Sequence, residues 1–365
     1  MKIAIVCDWL TNVGGAEKVL LEIHRLYPKA PIYTSKYSPA GIPWFSDAEV
    51  RTGWLNIFPV FLRRFLGPLR QRWFSHLDLS EYDLVISVTG AEAKAVRASK
   101  PGAKHISYCH VPTQYYWQMY DEYVKDPGFG FLNPLVRFFF KRLVSSQRKK
   151  DFEAAQRVDE FVTISEYAKG LISKYYHRDA TVIHPPVEIE NFVYKNGEVK
   201  DYYIVTSRQV TWKRLDLAVK VCVKLKRKLL VVGEGPEHKR LVKMAENSEF
   251  VKFLPLKGRE ELALLLAGAK GYIFPSLEPF GIAPVEALAS GAPVIAFGEG
   301  GALDYIDDGK NGVLFKKQTV GSLSEAILEF EKKKFDREKV SASAREFSKE
   351  RFDQEMKEFV REKTV

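Results

Sequence analysis

Short apolar runs and amphipathic stretches alternate along this chain from its first residues. Residues 2–7 form an apolar run short enough for a buried strand, and a helical spacing follows through Val19, Leu20, Ile23 and Leu26. Strand-like runs recur at 83–89, 104–110 and 160–164. Beyond residue 200 the alternation is more regular. Residues 202–206, 228–232, 250–254, 271–274, 293–297 and 312–315 predict strands, with helical spacing between them at 215–225 and 260–269. Strands and helices alternating across short loops predict an α/β chain with parallel sheets covered on both faces. Two such blocks predict two doubly wound domains, whose ligands collect outside the carboxyl ends of the strands.

The joint is expected near Ile183-His184-Pro185-Pro186-Val187, where two prolines remove two backbone donors and fix two φ angles. A polar stretch over 195–201 then opens the second block. The predicted division is 1–185 and 186–345. Phe347, Phe352, Met356, Phe359 and Val360 give the last segment a modest apolar stripe, so a helix over 346–365 is expected to pack back on the first domain.

Composition adds constraints. A chain that is 46% hydrophobic and 28% charged is globular, and no apolar run is long enough to span a bilayer. The first residues run straight into a strand pattern and do not read as a signal peptide. Cys7, Cys109 and Cys222 have neither metal-ligand nor disulfide spacing, which fits a reducing, cytoplasmic compartment. Of the net charge of +10, most lies in the first half, which suits an anionic partner.

Several loops after predicted strands carry phosphate-compatible chemistry. Gly14-Gly15 precede a helix, whose N-terminus favours negative charge. Arg208 and Lys213 follow the first strand of the second block, where two cations can neutralise a diphosphate. Gly233-Glu234-Gly235-Pro236 marks another strand end, suited equally to a nucleotide or to a plain turn. The densest signal runs from Ser276 to Gly291. The amides of Phe280, Gly281 and Ile282 are expected at a helix start, with Pro284 and Glu286 in its first turn and Glu278 in the loop before it. Carboxylates accept from vicinal hydroxyls, so the two glutamates suit a ribose and a hexose.

Glu278 and Glu286 separated by seven residues, with Phe280-Gly281 and Glu286-Ala287, resemble the hallmark of retaining family-4 glycosyltransferases of the GT-B fold. Gly14-Gly15-Ala16-Glu17, Tyr108-Cys109-His110, Arg208, Lys213 and the Gly233 turn follow in that family's order. The resemblance implies two Rossmann-like domains with parallel sheets facing an interdomain cleft, the first binding acceptor and the second nucleotide sugar. It implies that Arg208 and Lys213 hold the donor diphosphate in place of a metal. Glu278 and His110 would meet the transferred sugar, Glu286 the ribose, and Gly14, Gly15, Gly233, Phe280, Gly281 and Ile282 the phosphates and sugar. No cofactor beyond the nucleotide-sugar co-substrate is implied. Cys7-Asp8-Trp9-Leu10, the stretch from Tyr108 to Pro112, Arg157-Val158-Asp159 and Tyr175-Tyr176 resemble a mannosyltransferase-like branch, which implies GDP-mannose; a UDP- or dTDP-sugar is the alternative donor, and a non-catalytic nucleotide-sugar-binding protein the alternative to an enzyme. Gln114, Ile164 and Pro279 depart from the branch pattern and leave acceptor details and sugar identity open.

Two basic aromatic segments remain, 58–77 and 135–150. Cations beside aromatic and aliphatic residues suit an interfacial helix, so peripheral contact with an anionic membrane and a glycan or polyprenyl-linked acceptor are expected. That would place the protein in the cytoplasm at the inner face of the membrane. No nucleic-acid motif or long cationic stripe is present.

Overall fold

The computed structural model describes residues 1–365 apart from 61, 63–65, 126–129, 131, 132, 195, 196, 247 and 365. Phe61, Arg63, Arg64 and Phe65 of the first basic segment, and Lys195 and Asn196 of the polar stretch, lie outside the described residues. The chain forms two units, Met1–His184 with Phe352–Val365, and Pro185–Arg351.

Unit 1 runs β1 (Ile3–Cys7), α1 (Gly15–Leu26), β2 (Ile32–Thr34), β3 (Val50–Thr52), α2 (Gly67–Ser75), β4 (Leu84–Thr89), β5 (Lys104–Cys109), α3 (Tyr120–Lys125), α4 (Asn133–Gln156), β6 (Glu160–Thr163), α5 (Glu166–Tyr176) and β7 (Thr181–Val182). These strands form a wholly parallel sheet in the order β3-β2-β1-β4-β5-β6-β7. Every residue of β4 is buried, as a central strand covered on both faces must be. The core gathers Val6, Phe74 and Val85 on one side, and Cys109, Phe161 and Tyr176 on another. Ser165 starts α5 by accepting from the Ala168 amide at 3.0 Å. The three short strands β2, β3 and β7 have no counterpart in the hydrophobic pattern, because two or three residues are too few to show a period.

The first basic segment differs in part from its expectation. Arg70, in the first basic segment, is only 3% exposed and pairs with Glu92 at 2.9 Å, while Phe74 is fully buried. Arg70 and Phe74 are thus core, while Val60, Leu69 and Arg72 of the same segment are exposed. The same pattern of cations among aromatics can serve burial when each cation finds a carboxylate.

Unit 2 runs β8 (Tyr203–Thr206), α6 (Leu215–Leu225), β9 (Leu229–Val232), α7 (His238–Met244), β10 (Val251–Leu254), α8 (Arg259–Gly268), β11 (Gly271–Phe274), α9 (Ile282–Ala289), β12 (Val294–Phe297), β13 (Gly312–Phe315), α10 (Val320–Phe330) and α11 (Arg337–Ser343). Its six strands are also wholly parallel, in the order β10-β9-β8-β11-β12-β13. Val205, Val231, Ile273, Ile295 and Val313 build its core with α6 and α10. The last helix, α12 (Lys349–Thr364), buries Phe352, Met356, Phe359 and Val360 on one face. Phe352 meets the Tyr108 ring at 5.9 Å in unit 1. Residues 346–351, expected with the first domain, belong to unit 2, where Phe347 packs against Phe280 and Tyr305.

Candidate functional site

In unit 2 the strand order reverses between β8 and β11, so the loops leaving their carboxyl ends diverge and open a crevice. Of the predicted site residues, Arg208, Lys213, Glu278, Phe280 and Gly281 are on these two loops, and Ile282 and Glu286 are on the helix that follows the second. Tyr272 of β11 fastens the strand ends together, its hydroxyl donating to the Thr206 carbonyl at 3.0 Å. Beyond it, Lys213 Nζ meets Glu278 Oε1 at 2.5 Å, and Ser276 Oγ donates to the same oxygen at 2.7 Å. Lys213 also lies 4.4 Å from the Trp212 ring centroid. The next residue, Arg214, has φ +53°, a left-handed conformation that side chains with a Cβ rarely adopt. It is held there by Asp216 and Gln318, so the turn that aims Lys213 is strained and braced. Arg208 is exposed at the start of the same loop.

The Glu278 loop is clamped from beneath. The Gly301 amide donates to the Glu278 carbonyl at 2.8 Å, and the Tyr305 hydroxyl donates to the Phe280 carbonyl at 2.9 Å. A Cβ on Gly301 would fall 2.4 Å from the Phe280 Cα. Gly281 has φ +97°, which frees the chain to turn into α9.

Placement sharpens the expected positions here. Since α9 begins at Ile282, Ile282 and Ala283 carry amides in its first turn and Pro284 has none; Phe280 and Gly281 lie just before it, the Phe280 ring buried. Glu286 is in the second turn, not the first, and is half-buried. Both carboxylates act on Tyr272: burial raises its phenol, the Thr206 hydrogen bonds offset part of this, and Glu278 and Glu286 raise it further.

The Gly233 turn has a packing explanation. Gly233 has φ +119°, and a Cβ there would meet the Ser207 carbonyl oxygen at 2.3 Å. Buried Gln209 bonds to the Gly233 carbonyl and to His238 Nδ1, tying the Arg208 loop to the turn. Gln209 and Tyr272 carry no motif signal in the sequence, yet they set the geometry of the site.

Unit 1 has a cavity of about 320 Å³ outside the carboxyl ends of its central strands, lined among others by Trp9, Glu17, His110, Gln114, Tyr115 and Tyr123. His110 follows β5, and its amide donates to the Thr89 carbonyl at 2.8 Å. Its Nε2 is sealed without a partner, and burial lowers its pKa to about 4. The imidazole is neutral near pH 7, a hydrogen-bonding group and not a charge. Gly14 and Gly15 begin α1, but Ala16, Glu17 and Leu20 are the residues of that helix on the cavity wall. A carboxylate in this first turn opposes a phosphate there.

Asp8 forms the floor. It accepts from the Gly90, Ala91 and Ala93 amides at 2.9, 3.0 and 2.7 Å, and from Thr89 Oγ1. Burial and then nearby Glu92 raise its pKa, which the amide hydrogen bonds partly offset. Below it Lys94 pairs with Asp151 at 2.7 Å, and Asp151 also accepts from Trp117 and Tyr176, each at 2.7 Å. Among the described residues no group of three His, Cys, Asp or Glu side chains could hold a metal ion, and the cysteines are buried and free.

Comparison with known proteins agrees with this architecture. Residues 187–347, within unit 2, match the family described as Glycosyl transferases group 1. The chain is 31% identical over 176 residues to the UDP-N-acetylglucosamine–peptide N-acetylglucosaminyltransferase GtfA subunit of Streptococcus gordonii, covering 45% of this chain and 35% of that protein. It is 39% identical over 106 residues to the GDP-mannose-dependent alpha-mannosyltransferase of Corynebacterium glutamicum, covering 28% of this chain and 25% of that one. The chain thus spans well under two thirds of these relatives. Among solved structures, Anabaena HepE in complex with UDP superposes with a TM-score of 0.73 at 19% identity, covering 99% of this chain and all of that one. The fold is GT-B, with two parallel, doubly wound sheets.

Proposed function

We propose that the chain is a nucleotide-sugar-dependent glycosyltransferase that moves a hexose onto a glycan or lipid-linked acceptor. The observation that carries this is the Lys213–Glu278 pair at the reversal of the unit 2 sheet, within the segment that matches the family. In this reading Arg208 and Lys213 take up the charge of the diphosphate, and the amides of Ile282 and Ala283 add dipoles from the start of α9. Glu278 accepts from hydroxyls of the transferred sugar, and Glu286 from the ribose. The bond from the anomeric carbon to the diphosphate oxygen breaks with its electron pair leaving on the nucleotide. The acceptor oxygen bonds to that carbon from the same face, and its proton passes to the departing phosphate. The unit 1 cavity, near the lower end of the roughly 300–1,000 Å³ range of ligand pockets, takes the acceptor, with the Trp9, Tyr115 and Tyr123 rings as walls and neutral His110 as a hydrogen-bonding partner.

For the donor, a UDP-sugar has the broader support: the GtfA subunit is named for UDP-N-acetylglucosamine, and HepE was solved with UDP. GDP-mannose is the second reading, favoured by the higher identity of the shorter match. Calorimetry with UDP-glucose, UDP-N-acetylglucosamine, GDP-mannose and dTDP-rhamnose separates them. One uridine donor should bind, and Glu286→Ala should weaken it about tenfold or more. Binding by none of the four, or an affinity unmoved in Glu286→Ala, would overturn the assignment.

A further inference from the structure

Helix α4 has two dissimilar halves. Its C-terminal part is anchored in unit 1 by Val144, Gln147, Asp151, Ala154 and Ala155, all buried. Its N-terminal part carries Leu135, Phe138, Phe139 and Leu143, which are 56, 59, 52 and 47% exposed. Spacings of three, four and eight residues put these four on one face, the side opposite Val144 and Asp151. Arg142, Lys149 and Lys150 are exposed on that same face, with Lys141 at its flank. From Asn133 to Lys150 there is no acidic residue. With its buried side fixed by Asp151, the helix cannot roll the aromatic stripe into the core.

We propose that this outer face of α4 docks on an anionic lipid bilayer. An aromatic and aliphatic stripe running into unopposed cations is the composition of a helix that lies in an interface: rings enter the acyl boundary while cations meet lipid phosphates. No described helix is long and apolar enough to cross a membrane, so the contact is peripheral. The face is also tied to the cavity. Arg137 donates from Nε to the Val124 carbonyl at 2.7 Å and from Nη2 to the Lys125 carbonyl at 2.8 Å, and the Phe140 and Tyr120 rings stack at 5.7 Å. These contacts clamp α4 to α3, the helix that puts Tyr123 into the cavity wall. Docking therefore brings the cavity's Tyr123 side close to the lipid surface, where, on the glycosyltransferase reading, a lipid-linked acceptor arrives.

The test is co-sedimentation of the full chain with phosphatidylcholine vesicles, with and without phosphatidylglycerol, at low and high salt. Wild type should pellet with the anionic vesicles and be released by salt. A Phe138→Ser/Phe139→Ser/Leu143→Ser variant and an Arg142→Glu/Lys149→Glu variant should each lose about tenfold in partitioning, at an unchanged melting temperature and unchanged donor affinity by calorimetry. Wild type that stays in the supernatant at low salt, or a serine variant that pellets like wild type, overturns the proposal. So does light scattering that finds a wild-type dimer and a monomeric serine variant, since the face then binds a second copy. Because donor affinity is read separately, loss of donor binding in every protein would count against the transferase reading alone.

Discussion

Lys213 and Glu278 form a pair whose value lies in position more than in stability. Their side chains are 18 and 12% exposed, so each still meets solvent at the crevice, and Glu278 keeps the Ser276 hydroxyl at 2.7 Å when Lys213 is removed. Lys213→Ala should therefore leave the melting temperature nearly unchanged. On the proposed transferase reading Lys213 faces the departing diphosphate, so its removal should lower kcat/KM by about 10²–10³. Parallel melting curves and initial rates check this; wild-type turnover in Lys213→Ala would remove the cation from the mechanism. Gly301 is the converse case, where geometry and stability coincide. Its Cβ would meet the Phe280 Cα and the Pro279 carbonyl oxygen, both at 2.4 Å, so Gly301→Ala must push the Glu278 loop aside. Overpacking of this kind costs about 1–3 kcal/mol, and donor affinity should drop with it. A Gly301→Ala variant with both melting temperature and donor affinity intact would mean the loop tolerates the shift.

At the scale of elements, burial along the chain was readable and partnership across it was not. Helix 215–225 and strands 271–274 and 312–315 begin and end where the apolar pattern places them. Central strands read well because both faces are buried, whereas β2, β3 and β7 are too short for any period to show. The same pattern put Arg70 on a surface, because its partner Glu92 lies 22 residues away and nothing local announces the pairing. The site divides the same way. Glu278, Lys213 and Arg208 were visible as charged residues after strands. Gln209 and Tyr272, which fix the loops, look like ordinary polar or apolar positions until the strand order is known. Glu286 falls in the second turn because α9 already starts at Ile282, four residues before it. The Lys94–Asp151 pair shows what such unseen partners contribute. Both side chains are at most 1% exposed, and burial lowers the Lys94 pKa while Asp151 and its neighbours more than restore it. Asp151→Asn leaves that ammonium without its carboxylate and should destabilise unit 1 by about 3–5 kcal/mol. Denaturant unfolding measures it, and a loss under about 1 kcal/mol would mean water reaches the pair.

Over the whole molecule, each unit has its own sheet and core, so a single unfolding free energy is not the right description. Acid should separate them. In unit 1, burial lowers both His105 and His110 from 6.5 to about 4. An unfolded histidine binds its proton at higher pH than these folded ones. The stability they confer is thus complete above about pH 6.5 and is lost as pH falls towards about 4. For His105, 1% exposed, the full loss is about 3 kcal/mol. Asp8 acts in the opposite direction, since burial and Glu92 raise its carboxyl, and it offsets part of the loss. In unit 2 the large shift is Glu331, lowered from 4.5 to about 2 by the Arg227 hydrogen bond and then by Lys270. That contribution persists until pH drops below 4.5. Between about pH 7 and about pH 5, unit 1 should lose thermal stability while unit 2 holds. Tryptophan reports the difference, because Trp212 alone of the six lies in unit 2. In Trp212→Phe, all the fluorescence follows unit 1, and its melting temperature should fall on acidification ahead of the second calorimetric transition. Adding His105→Gln should make that fall smaller. An equal acid shift of both transitions, or a shift untouched by His105→Gln, would mean the buried histidines do not set the acid limit.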